Sequence, residues 1–133
     1  MLTVAACGTT SASAPGAGGS DHRSAVSGVI VTAADNGRTV VLARGKVLVV
    51  RLASQGLLTW DRPRLADSAP AALRELSARG GYPSRAPVVA RFLAVRPGRA
   101  TLSSITDARC LHVAPRCAFD QRLWHVRVIV RGA

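Results

Sequence analysis

Acidic side chains are scarce in this chain of 133 residues: Asp and Glu number seven, Glu75 being the single glutamate, against eighteen Lys and Arg. Lysine is scarce as well. Lys46 is the only one, so the formal charge of +11 is carried by arginine. Aromatic residues make up only 4%. No apolar run approaches the ~20 residues that a membrane-spanning helix needs. Each shortage excludes something. With so few acids, and no nucleophile motif beside them, little is left to converge as general acid and base, so the chain reads as a non-enzyme that requires no cofactor. The few rings and the spread of arginine from Arg23 to Arg131 argue against nucleic acid, because its binders stack bases on aromatics and cluster their charge. A helical membrane protein is excluded by the missing apolar run. Hydrophobic residues still make up 48%, enough for the core of one domain. The positive charge suits an anionic partner, such as lipid headgroups or an acidic envelope polymer, or else records a compositional bias.

The N-terminus carries the first motif. Val4-Ala5-Ala6-Cys7 resembles the lipobox of bacterial lipoproteins: an aliphatic residue, two small residues, then cysteine. The resemblance implies a thioether between the Cys7 sulfur and diacylglycerol, with cleavage just before Cys7. Residues 1–6 then read as a truncated signal-peptide remnant, since an export signal has an apolar region of about 7–15 residues behind a basic start. Residues 8–20 hold no charge and no large apolar side chain. Such a segment cannot bury enough surface to fold and serves as a tether. The expected organisation is a lipidated Cys7 with its tether over residues 7–23, and one folded domain over residues 24–133. It places the protein outside the cytoplasm, anchored to the outer face of the cell membrane.

Two cysteines remain once Cys7 is assigned to lipid. An even remainder in an exported domain suggests a Cys110–Cys117 disulfide. The alternative is a metal held by Cys110, His112 and Cys117. Zinc sites favour a C-x2–4-C spacing and a fourth ligand; the spacing differs here, and His125 is the one further candidate. The reading adopted is a disulfide and no metal.

From residue 24 onward the pattern has period two, the mark of strands. Strands are expected over residues 29–32, 39–42, 47–52, 88–95, 99–105 and 123–130, with turns at Asn36-Gly37, Gly45 and Pro97-Gly98. Trp124, Val126, Val128 and Val130 share one parity; His125, Arg127, Ile129 and Arg131 share the other. The same split sets Leu48, Val50 and Leu52 against Arg51, and Val88, Ala90, Phe92 and Ala94 against Arg91. One apolar and one charged face per strand predicts two antiparallel sheets packed face to face, an all-β immunoglobulin-like sandwich. One short helix is also expected, capped by Ser68, with Pro70 in its first turn, Leu73 and Leu76 facing inward, and Gly80 closing it.

Several of these features resemble known families. Strand Leu48–Leu52 followed by Trp60, the Gly80-Gly81 loop before Phe92, and the last strand from Trp124 to Val130 are similar to the skeleton of chagasin-like inhibitors of cysteine proteases. The loops carry residues of their own: Ser54 to Thr59 stands where that family has an Asn-Pro-Thr-Thr-Gly-Tyr type motif, and Ile105 to Cys110 where it has Arg-Pro-Trp. Gly80-Gly81-Tyr82-Pro83, Thr106-Asp107-x-x-Cys110-x-His112 and the closing Trp124 together resemble small actinobacterial lipoproteins. Two functions follow as expectations. The first is a lipid-anchored envelope module that binds an envelope protein or an anionic polymer. The second is a protease inhibitor acting through loops 54–60, 80–86 and 107–121. In both, the candidate binding residues are Trp60, Gly80, Gly81, Tyr82, Pro83, Asp107 and His112, since binding residues concentrate on loops held by a rigid scaffold.

Overall fold

The computed structural model describes residues 28–67 and 70–132. Cys7, its tether and Ser68 lie outside the described residues. Nine strands follow in order: β1 (Val29–Thr32), β2 (Thr39–Ala43), β3 (Val47–Leu52), β4 (Thr59–Trp60), β5 (Arg64–Asp67), β6 (Leu73–Arg79), β7 (Val88–Ala94), β8 (Gly98–Asp107) and β9 (Leu123–Arg131). Single 3-10 turns cover Ala33–Asp35 and Arg109–Leu111.

The strands form two sheets. One has the order β1-β3-β7-β6; the other has β2-β9-β8, with β4 and β5 both pairing with β8 on its far edge. The apolar parity of each strand points into the space between them. Leu48, Val50, Phe92, Leu102, Trp124, Val126 and Val128 are all buried there. This is the immunoglobulin-like sandwich that the alternation predicts, and each of the six expected strands is present.

Two expectations need correction. The sheets are not wholly antiparallel, because β1 pairs with β3 and β2 with β9 in parallel. The cause is that successive strands change sheets. The turn at Gly45 bridges the two layers, with Arg44 N donating to Arg131 O at 2.9 Å and Gly45 N to Ala94 O at 2.8 Å. Strands so connected cannot close hairpins with each other, and they pair with strands distant in sequence.

The expected helix is instead strand β6, antiparallel to β7. Leu73 is buried, but Leu76 sits where the register shifts between Glu75 and Ser77 and is exposed. A helix here would bury only two leucines, too narrow an apolar stripe to hold it. Pairing along β7 satisfies the same backbone and still buries Leu73. As an edge strand β6 carries Arg74, Glu75 and Arg79, charges that discourage pairing with another chain.

Candidate functional site

The three loops singled out from the sequence meet at one end of the sandwich. The first, between β3 and β4, is closed by the Gln55–Leu58 pair, with Gln55 N donating to Leu58 O at 2.9 Å and Leu58 N to Gln55 O at 3.0 Å. Its tip is Gly56-Leu57. Gly56 takes φ +61, the left-handed region that favours glycine, and Leu57 is 57% exposed.

The second loop joins β6 to β7 and is tied to both its neighbours. Tyr82 N donates to Trp60 O at 2.9 Å. Ser54 Oγ donates to Arg85 O at 2.8 Å, and Arg85 Nη2 donates back to Gly56 O at 3.0 Å. Loops one and two are therefore cross-linked by side chains in both directions. Gly80 and Gly81 make the tight entry possible. A Cβ on Gly81 would lie 2.8 Å from Trp60 O and 2.9 Å from Val88 Cγ2.

The third loop follows β8. Thr106 anchors both of its ends: Arg122 N donates to Thr106 Oγ1 at 2.7 Å, and Gln121 Nε2 to Thr106 O at 2.8 Å. Cys110 and Cys117 are bonded, with their Cα atoms 5.4 Å apart, as the cysteine parity predicts. Asp107 Oδ1 accepts from Ala108 N at 2.8 Å and faces His112 Nε2 at 2.7 Å. The His112 ring lies 5.3 Å, centre to centre, from that of Tyr82. His112 thus links the disulfide loop to the second loop.

Between the loops runs an open cleft of about 480 Å³. Leu57, Tyr82, Pro83, Ala108, Cys110 and Val113 give it an apolar lining, with Arg85 and Arg109 as its cations. The sequence-predicted residues divide into two groups. Tyr82 and Pro83 line the cleft, and His112 stands beside Tyr82. Trp60 requires a correction: it is buried in β4 and supports the loops through its carbonyl, so its ring is not a contact surface. Gly80, Gly81 and the largely buried Asp107 likewise brace the site from behind. Arg85, Arg109 and Val113 were not legible as cleft residues. They belong to no motif, and only the meeting of the loops brings them together. Leu57-Leu58, an apolar pair directly after a turn glycine, is the one local signal.

The Asp107–His112 pair bridges the end of β8 and the disulfide loop. Among the described residues neither ring nitrogen of His112 bonds to a hydroxyl or thiol, and both nearby cysteines are held in the disulfide. The pair orients loops. Asp61, just after β4, feels it. Burial first, and the Asp107 charge second, raise the Asp61 carboxyl above its ordinary 3.8, while Arg64 and His112 pull it down. A carboxyl raised in this way keeps its proton in the folded state at a pH where the unfolded chain has lost it. Stability therefore falls as pH rises from the ordinary carboxyl range through the raised folded value, and stays lower above it. Asp61→Asn is expected to be at least as stable as the parent at about pH 7, with its advantage vanishing near pH 3, below the ordinary carboxyl range. Chemical unfolding at the two pH values checks this. A variant less stable at neutral pH would mean that attraction to Arg64 and His112 outweighs burial.

The fold and this end of it define a class: an all-β immunoglobulin-like sandwich presenting three mutually tied loops. The fold is similar to that of a solved cysteine protease inhibitor from Entamoeba histolytica, with a TM-score of 0.54 and 9% identity over 77% of this chain and 95% of that one. A second solved structure, amebosin, has a TM-score of 0.46 and 14% identity over 77% of this chain and 97% of its own. No protein-family model matches the chain, and no curated protein matches it in sequence. At 9% identity the likeness to the first structure is one of fold, and it agrees with the chagasin-like skeleton expected from the strand pattern.

Proposed function

We propose that this protein is a protein-binding module of the protease-inhibitor type, whose three-loop end docks into the active-site cleft of a papain-type cysteine protease. The observation that carries the reading is the joined construction of that end. Loops from three separate parts of the chain are fastened to each other by the Ser54–Arg85–Gly56 bonds, the His112 bridge and the disulfide. Two apolar side chains stand at the front, Leu57 at 57% exposure and Val113 at 49%. Loops ordered before binding lose little entropy on docking, and exposed apolar anchors on them are suited to fill a partner's pocket. The shared fold with a cysteine protease inhibitor supports this reading above the general envelope module. The test is titration of papain-type proteases with the full chain. Inhibition at about micromolar protein or below that weakens at least tenfold in Leu57→Asp and in Val113→Asp is expected. Full protease activity at saturating protein overturns it.

The proposal includes a location. The lipobox-like run ending at Cys7 and the uncharged residues 8–20 behind it support display on the outer face of the cell membrane. Intact mass of protein from the membrane fraction tests this. A chain starting at Cys7 with acyl mass supports the anchor, and an unmodified soluble chain removes it.

A further inference from the structure

Strand register fixes where the arginines of the outer sheet faces stand relative to their neighbours. Strand alternation turns Arg64 of β5, Arg99 of β8, and Arg127 and Arg131 of β9 away from the core, all onto the outer face of the second sheet. The register is specific. Arg127 lies between Thr39 on β2 and Thr101 on β8. Arg99 is opposite Ile129, one diagonal step from Arg127. Diagonal neighbours in a sheet are about 7–8 Å apart, within reach of long side chains. Thr39, Thr101, Arg99 and Arg127 surround a shallow hollow of about 240 Å³.

Of these four, Arg64 has Asp61 beside it, and Asp35 is paired with Arg38 at 3.4 Å. Among the described residues no carboxylate forms an ion pair with Arg99, Arg127 or Arg131. Two arginines on diagonal positions of a sheet bring like charges within reach of each other, and a shared anion relieves that repulsion. The donor set discriminates between anions. One guanidinium fork satisfies the two oxygens of a carboxylate. Two forks flanked by two hydroxyl groups match the several oxygens of a tetrahedral group.

We propose that this hollow is a binding site for a phosphate group, taken by Arg99 and Arg127 with Thr39 and Thr101 as hydroxyl donors. It is a second site, on a sheet face, separate from the loop end. The phosphate arrives either as free inorganic phosphate or as the headgroup of an anionic phospholipid; the recognising chemistry is the same.

The experiment uses the full chain at low ionic strength, with cross-peaks of the arginine side chains followed by NMR during titration with inorganic phosphate. Arg99 and Arg127 are expected to move saturably. Arg127→Gln and Arg99→Gln should each weaken binding roughly tenfold, the loss expected for one charge-assisted contact. The control is Arg79→Gln with Arg116→Gln. These are exposed arginines on the edge strand of the first sheet and in the third loop, and their loss should change affinity less than twofold. A second arm measures co-sedimentation with phosphatidylglycerol vesicles and with phosphatidylcholine vesicles. Binding to the former that Arg127→Gln abolishes assigns the phosphate to lipid. Phosphate binding without vesicle binding assigns it to the free ion. Equal loss from the Arg79 and Arg116 variants overturns the proposal, because the attraction is then net charge alone. Unsaturable shifts, or none, overturn it as well.

Discussion

Trp124→Ala is expected to lose about 3–5 kcal/mol of folding stability, the range for removing a large buried aromatic ring. Trp124 is the bulkiest fully buried side chain among the described residues, 1% exposed between the two sheets. Its indole Nε1 donates to Thr32 O at 3.0 Å, so the side chain also ties β9 in one sheet to the end of β1 in the other. The cavity left by alanine would lie where both sheets meet, with little freedom for either to collapse into it. Equilibrium unfolding in denaturant measures the loss. A cost below about 1.5 kcal/mol would show that the core closes around the gap. Trp60 provides the contrast. It too is buried, but its Nε1 has no acceptor among the described residues. Replacement by phenylalanine should therefore be milder at Trp60 than at Trp124, where it breaks a hydrogen bond worth about 1 kcal/mol.

Gly80→Ala is the second large effect. Gly80 takes φ +74, and a Cβ there would lie 1.9 Å from Pro87 O and 2.7 Å from Pro87 C. Both are backbone atoms of the residue just before β7, so no side-chain rotation relieves the overlap. The left-handed conformation costs a non-glycine residue about 1–2 kcal/mol, and displacing the neighbouring backbone adds a similar amount, about 2–4 kcal/mol together. The same loop carries Tyr82 and Arg85, which hold it to the other two. If the proposed function holds, inhibition of a papain-type protease should therefore weaken in Gly80→Ala even at temperatures where the protein stays folded. Gly37→Ala is the comparison, since a Cβ at Gly37 meets nothing within 4 Å. It bears only the backbone cost of φ +82, and no effect on inhibition is expected. Thermal unfolding of both variants, with protease titration below the transition, separates local geometry from global stability. Equal behaviour of the two would mean that β7 yields to the new methyl group.

The strands that sequence alone makes legible are those with a clean division of faces. Trp124 to Val130 and Val88 to Ala94 alternate because one side meets a core and the other meets water, a constraint written residue by residue. The disulfide was legible from the parity of the cysteines. Strands β4 and β5 were not. Thr59–Trp60 is too short for a pattern, and Arg64–Asp67 holds one large apolar residue, so both exist as strands only because β8 is there to pair with them. Segment 73–79 was misread for the same reason. Its leucines, three residues apart, suggest a helix locally, and the long-range partner β7 decides otherwise.

Composition and alternation by themselves determine that this chain forms a β-sandwich, which side chains fill it, and that its surface is rich in arginine. The third follows from composition and the first two from neighbours in sequence, because parity along a strand is a local property. Which strands lie side by side is a different matter. Successive strands change sheets at Gly45, and register is set by burial across large separations in the chain. Only that arrangement joins Leu57, Tyr82 and Val113 around one cleft, and brings Thr39, Thr101, Arg99 and Arg127 around one hollow. Both sites are products of strand order, because each takes its residues from segments that touch only after the two sheets have closed on their core.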